Sequence, residues 1–87
     1  MKHASHADVG NRLKRSSGHL QKVIKMLEEE RPCAELAQQL HAVERAISAA
    51  KKTLIQDHID HCLSQPPANA QEHASTVADL REITRYL

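Results

Sequence analysis

An all-α fold follows from three features of the 87-residue sequence. Ala, Leu, Glu, Gln, Lys and Arg dominate it, the residues that lose least conformational freedom in a helix. Two glycines and three prolines are too few for the many corners of a sandwich or barrel. The prolines, Pro32 and the pair Pro66 and Pro67, sit where helical periodicity stops rather than inside it. They divide the chain into three segments, each of which reads as one helix. The expectation is a single domain over residues 1–87 with a flexible arm at 1–5.

The first helix is expected over about residues 6–30, with Ser5 as N-cap and Val9, Leu13, Leu20, Ile24 and Leu27 on one face. Glu28, Glu29 and Glu30 close it, at the end where the macrodipole disfavours negative charge. The second is expected over about residues 33–64, uninterrupted by Gly or Pro. Its apolar residues Leu36, Leu40, Val43, Ile47, Ala50 and Leu54 recur at spacings of three and four, a seam that packs against another helix. The third is expected over about residues 69–87, opened by a capping-box pair of Asn69 and Glu72. Ala70, Ala74, Val77, Leu80, Ile83 and Leu87 form its apolar side, and it reads as a brace.

Tyr86 is the sole aromatic, so a core must come from Leu, Ile, Val and Ala. A chain this short buries little of its surface alone and commonly leans on a metal or a partner subunit. An oligomer is therefore expected. No apolar run reaches the roughly 18 residues of a membrane span, and the N-terminus lacks a secretory signal's apolar stretch. The chain is expected in the cytoplasm, with no membrane partner. In that reducing compartment Cys33 and Cys62 read as ligands or reactive thiols rather than a structural disulfide.

Charge is unevenly spread. Residues 1–27 carry Lys2, Arg12, Lys14, Arg15, Lys22 and Lys25 against Asp8 alone, a net of +5 on a chain whose total is +1. A basic segment of this kind suits an anionic partner, because cations that neutralise phosphates release condensed counterions. A solvated helix face is the plainer account of the same charges.

The chemistry-bearing set lies at the end of the apolar seam. His58 and Cys62 stand four residues apart, on one face of a helix, with Cβ atoms about 5–6 Å apart. Imidazole and thiolate together favour Cu(I), Zn(II) and related ions over oxygen-seeking cations. Cys33 begins the same helix, roughly 43 Å from Cys62 at 1.5 Å per residue. One chain cannot bring the two thiols together, but two such helices packed antiparallel along the seam would set Cys33 of one beside His58 and Cys62 of the other. Symmetry then makes two equivalent sites. Three such ligands suit trigonal Cu(I), the leading expectation; a fourth nitrogen from His3, His6 or His61 suits Zn(II), Co(II) or Ni(II). Asp57 and Asp60 read either as groups that orient imidazoles or as ordinary helix-surface acids. His19, His41 and His73 are expected to face solvent.

The runs Arg12-Leu13-Lys14-Arg15, Gly18-His19-Leu20, Arg31-Pro32-Cys33, Gln38 to Val43 and Asp57 to Cys62 resemble the copper-sensitive operon repressors of the CsoR/RcnR type. The likeness covers about residues 5–87, and Cys33, His58 and Cys62 match the copper sensors' ligand pattern. It implies a three-helix protomer, an antiparallel dimer pairing into a flat tetramer, and repression of metal-efflux genes relieved by metal. It also implies contacts to double-stranded operator DNA by Arg12, Arg15, Lys51 and Lys52, with Lys14 in the same basic run. Without a helix-turn-helix these contacts fall on phosphates, and groove shape sets much of the specificity. Pro32 stands where some copper sensors carry Tyr, and a third-helix Glu that steadies the ligating His falls near Ala78 by simple offset. Lys2 replaces the Pro of the formaldehyde sensors. Nickel and cobalt sensors recruit an N-terminal His, and His3 and His6 lie two and five residues out of that register.

Three further functions compete with a copper-responsive repressor. One is a Ni(II)/Co(II) sensor using an N-terminal His. Another is a repressor whose Cys33 and Cys62 sense persulfide or other oxidants. A third is a metal buffer or chaperone with no DNA partner. An enzyme is not expected, nor a small organic substrate, because a narrow helical protomer offers no cleft for a base and substrate.

Overall fold

The structure is a computed structural model and describes residues 4–87. Three helices follow in order, α1 (His6–Glu28), α2 (Cys33–Ser64) and α3 (Ala70–Ile83), and a 3₁₀ turn at Thr84–Tyr86 ends the last. No strand occurs among the described residues. α1 and α2 form an antiparallel hairpin, and α3 leans more lightly on the far end of α2.

Each helix end has a local cause. Ser5 holds the N-cap position of α1 but with helical backbone angles and no side-chain cap. Its hydroxyl instead donates to Asp57 Oδ2 at 2.7 Å, tying the start of α1 to the end of α2. α1 stops in a closed turn rather than a frayed end. Arg31 N–H donates to Met26 O and Glu30 N–H to Leu27 O, while Glu30 takes the left-handed conformation at φ 57°. α2 starts after Pro32, whose carbonyl accepts from the N–H groups of both Glu35 and Leu36. At α3, Asn69 Oδ1 caps Glu72 N at 2.8 Å, as the Asn/Glu spacing predicts.

Packing within the hairpin departs from the single face expected of α1. Val9, Ser16, Val23 and Met26 are buried, while Leu13, Leu20, Ile24 and Leu27 are 40–59% exposed. The apolar side of α1 is two strips. Val9, Ser16 and Val23 recur every seventh residue, as do Leu13, Leu20 and Leu27, and the second set is displaced by four residues, about 40° round the axis. The first strip meets α2; the second is left largely uncovered by the described residues. α2 divides likewise, with Val43, Ala50 and Ile55 buried and Leu40 and Ile47 exposed at 42% and 45%.

The result is long and flat, 59 × 22 × 14 Å, with a radius of gyration of 18.0 Å. A compact chain of this length has a radius near 12 Å. No residue of α3 is buried. The chain is therefore a thin hairpin with one finished seam and one open one. No helix among the described residues is long and apolar enough to cross a membrane.

Candidate metal centre

His58 and Cys62 project from successive turns near the C-terminal end of α2, and His58 Nε2 lies 3.6 Å from Cys62 Sγ. Across the gap α3 presents Asp79, whose Oδ2 is 2.5 Å from the same Nε2. The three donor atoms lie within 4.8 Å of one another, a spacing one ion can bridge. His61 shares the cleft with them, together with Glu72 and Thr76. A nitrogen, a sulfur and a carboxylate oxygen form a borderline donor set suited to late divalent ions, and the nitrogen and sulfur alone suit Cu(I). His58 and Cys62 are half-buried, Asp79 exposed.

Partial burial pushes the Cys62 thiol above its ordinary pKa, and the nearby Asp79 carboxylate adds to the rise. Both effects favour the protonated thiol, whose proton a bound cation would have to displace.

Cys33 is exposed at the opposite end of α2 and is not part of this cluster. At 1.5 Å per residue it stands about 38 Å from His58 along the axis. Its direction is informative. At 100° per residue Cys33, Leu40, Ile47, His58 and Cys62 fall within a sector about 60° wide. The two ends of the donor set and the open apolar strip between them share one face of α2.

The remaining predicted residues are placed as follows. His6, half-buried, lies in the first turn of α1 next to the Ser5–Asp57 tie, and so at the same end as His58. His3 lies outside the described residues. His41 and His73 are exposed as expected, but His19 is half-buried and shares a 2.6 Å hydrogen bond with Gln39 across the hairpin. Arg12 and Arg15 line a shallow cleft between α1 and α2 with Ser16, His19, Ala46 and Ala49. Arg12 is paired there with Asp8 at 2.9 Å. Lys14, Lys51 and Lys52 are exposed.

Asp79 escaped the sequence reading. It lies off the apolar periodicity of α3, and simple offset from the family resemblance points one residue earlier, to Ala78, whereas the carboxylate that contacts His58 is that of Asp79. The bend through Pro66 and Pro67 sets how far α3 slides along α2, and offset counting cannot see that slide.

A family model described as metal-sensitive transcriptional repressor matches residues 5–87. The chain belongs to the metal-sensitive transcriptional repressor family. Its members are transcriptional repressors and not enzymes. Among curated members, the copper-sensing transcriptional repressor CsoR of Mycobacterium ulcerans is 37% identical over 54 residues, 62% of this chain and 46% of that protein. The copper-sensing repressor CsoR of Bacillus subtilis is 34% identical over 56 residues, 64% of this chain and 55% of that protein. The matched segment thus spans about half the length of these relatives. Among solved members, the nickel-responsive transcriptional regulator InrS superposes with a TM-score of 0.82 at 31% identity, covering 100% of this chain and 98% of that one. Within this metal-sensitive repressor family, copper and nickel responses therefore both occur on the fold described above.

Proposed function

We propose that this member of the family is a cytoplasmic, DNA-binding repressor that leaves its operator when a transition metal ion, Cu(I) first among them, occupies a site shared between two subunits. Cys33 of one chain and His58 and Cys62 of the other form that site. One observation carries the reading: a single face of α2 bears Cys33 at one end, His58 and Cys62 at the other, and an exposed apolar strip between. An antiparallel partner covers the strip and closes both sites in one step. Two such dimers then pair into the flat tetramer.

Held by Cys33 of one chain and His58 and Cys62 of the other, an ion would supply the coordinate bonds that join the two subunits. The chain's own residues do the rest. Cys62 and Cys33 release protons on ligation, and the α1–α2 hairpin holds their spacing. The phosphate backbone is met by the basic run of α1, where Arg12 and Arg15 flank a cleft, and by Lys14, Lys51 and Lys52. Such contacts give affinity that falls with salt, by roughly 0.9 log units per log salt for each phosphate neutralised. For metal to release DNA it must prefer the DNA-free shape by a few kcal/mol.

A second reading is Ni(II) or Co(II) sensing, favoured by the tie between Ser5 and Asp57. That contact holds the start of α1, and with it His6, at the His58 end of α2. The thiol-sensing reading loses ground because the Cys62 thiol is pushed towards its protonated, less nucleophilic form.

Anaerobic titration of wild type with Cu(I), Ni(II), Co(II) and Zn(II), each followed by release from promoter DNA, ranks the metals by response rather than by affinity. Cys33→Ala is expected to keep DNA affinity and lose the response. A Cys33→Ala protein still released by Cu(I) would show that the ion binds elsewhere.

A further inference from the structure

We propose that His19 is a phosphate-binding residue of the DNA face and that it engages the backbone as an imidazolium, so that DNA binding takes up a proton there. This rests on the DNA-binding reading above and adds to it a contact residue and a pH response.

At 100° and 1.5 Å per residue, Arg12, Arg15, His19 and Lys22 fall within a sector of α1 about 80° wide, along about 15 Å of its axis. All four border the same side of the hairpin. Arg12, Arg15 and His19 line the shallow cleft whose other residues are the small Ser16, Ala46 and Ala49. Lys22 lines the next cleft along, together with Lys25, Arg31 and Gln39. The hydrogen bond between His19 and Gln39 crosses from α1 to α2 between these two clefts. The imidazole is therefore held in place, half-buried, within a row of cations whose spacing suits a phosphate chain.

The partner at Nε2 decides how the ring can meet an anion. His19 Nε2 lies 2.6 Å from Gln39 Oε1, and an amide oxygen only accepts, so Nε2 carries a proton. In the neutral ring Nδ1 is then a lone pair, which a phosphate oxygen cannot use. With Gln39 still accepting at Nε2, only the doubly protonated ring can donate from Nδ1 to phosphate. The charged groups around His19 favour that pairing. From α1 they are Arg12, Arg15 and Lys22, and α2 contributes no charged residue to the His19 cleft. The acids nearest the row are engaged or lie in the next cleft: Asp8 pairs with Arg12, Glu35 of α2 pairs with Arg31, and Glu29 borders the far cleft. A phosphate settling among these cations supplies the anion for a charge-assisted hydrogen bond from His19.

The test measures binding of metal-free protein to a random-sequence DNA duplex at low salt, where phosphate contacts supply the affinity. Titrations at about pH 6, 7 and 8 span the range in which imidazole changes charge and phosphodiesters do not. Wild type is compared with His19→Gln, which stays neutral, and with His19→Arg, which is charged throughout. The gain in wild-type affinity from about pH 8 to about pH 6 is expected to exceed that of His19→Gln by at least about fivefold, the other histidines contributing equally to both. His19→Arg is expected to bind more tightly than wild type at about pH 8 and to share the shallower profile of the Gln variant. If His19 only braces the hairpin, wild type and both variants keep parallel pH profiles, and that result overturns the proposal while leaving DNA binding intact. If wild type binds no duplex at any pH, the DNA-binding reading falls and this proposal falls with it.

Discussion

Ile47 is the residue on which the antiparallel dimer is most sharply testable. It lies midway between Cys33 and Cys62, so a two-fold axis that brings those thiols together passes close to it and sets it against its own counterpart. Its side chain is 45% exposed in the protomer. Burying an exposed Ile in full is worth about 1.5–3 kcal/mol, so covering the remaining surface contributes roughly 0.7–1.4 kcal/mol per copy and about twice that per dimer. Ile47→Glu loses this and places two carboxylates face to face in an apolar seam, where desolvation costs several kcal/mol more. The sum is at least about 4 kcal/mol, or about a thousandfold in the dimer dissociation constant. Sedimentation over a range of concentrations reads it directly. Ile47 is outside the buried seam of Val9, Val23, Met26, Val43 and Ala50, so the hairpin itself is not the target. As a complement that does not depend on destabilisation, Ile47→Cys in a chain with Cys33→Ser and Cys62→Ser is expected to form a cross-linked dimer under mild oxidation. A Glu variant that sediments as wild type, or a Cys variant that stays uncross-linked, refutes the register.

Other expectations follow from single features. Since the Cys62 thiol is held up by partial burial and then by Asp79, metal affinity should rise with pH through neutrality, as the proton to be displaced becomes easier to remove. Asp79→Asn removes the second cause, so Cys62 in a Cys33→Ser chain should be alkylated faster at neutral pH; an unchanged or slower rate contradicts the assignment. Glu30 holds φ 57°, a conformation that costs a side-chain-bearing residue roughly 1–2 kcal/mol, so Glu30→Gly should raise the melting temperature by a few degrees. A lower melting temperature would point to a role for the Glu30 side chain. Arg12→Ala should flatten the salt dependence of DNA binding by roughly 0.9 in log–log slope for each phosphate that Arg12 neutralises in wild type; an unchanged slope removes Arg12 from the interface.

The three-helix order was legible because prolines punctuate it and because the α2 periodicity runs unbroken between them. The pairing of His58 with Cys62 was legible for the same reason, since a continuous helix fixes what four residues of separation mean. Less visible was the division of labour on α1. Periodicity marks an apolar side but does not say which of two strips 40° apart faces the chain's own α2. Here small Ser16 lies in the closed seam while Leu20 and Leu27 are left out. Ser5 reads locally as a cap, yet its hydroxyl serves a tertiary contact to Asp57 that no local rule contains. Asp79 was hidden because its meaning depends on how α3 slides along α2 after the Pro66–Pro67 bend.

The unbroken run of α2 makes that helix a measuring rod. One residue inserted between Cys33 and His58 would advance everything beyond it by 1.5 Å and swing it through about 100°. In a head-to-tail pair the fault would be counted at both ends simultaneously, so neither site could be spared by repairing the other. In such a pair the distance between the donors would matter as much as their identity.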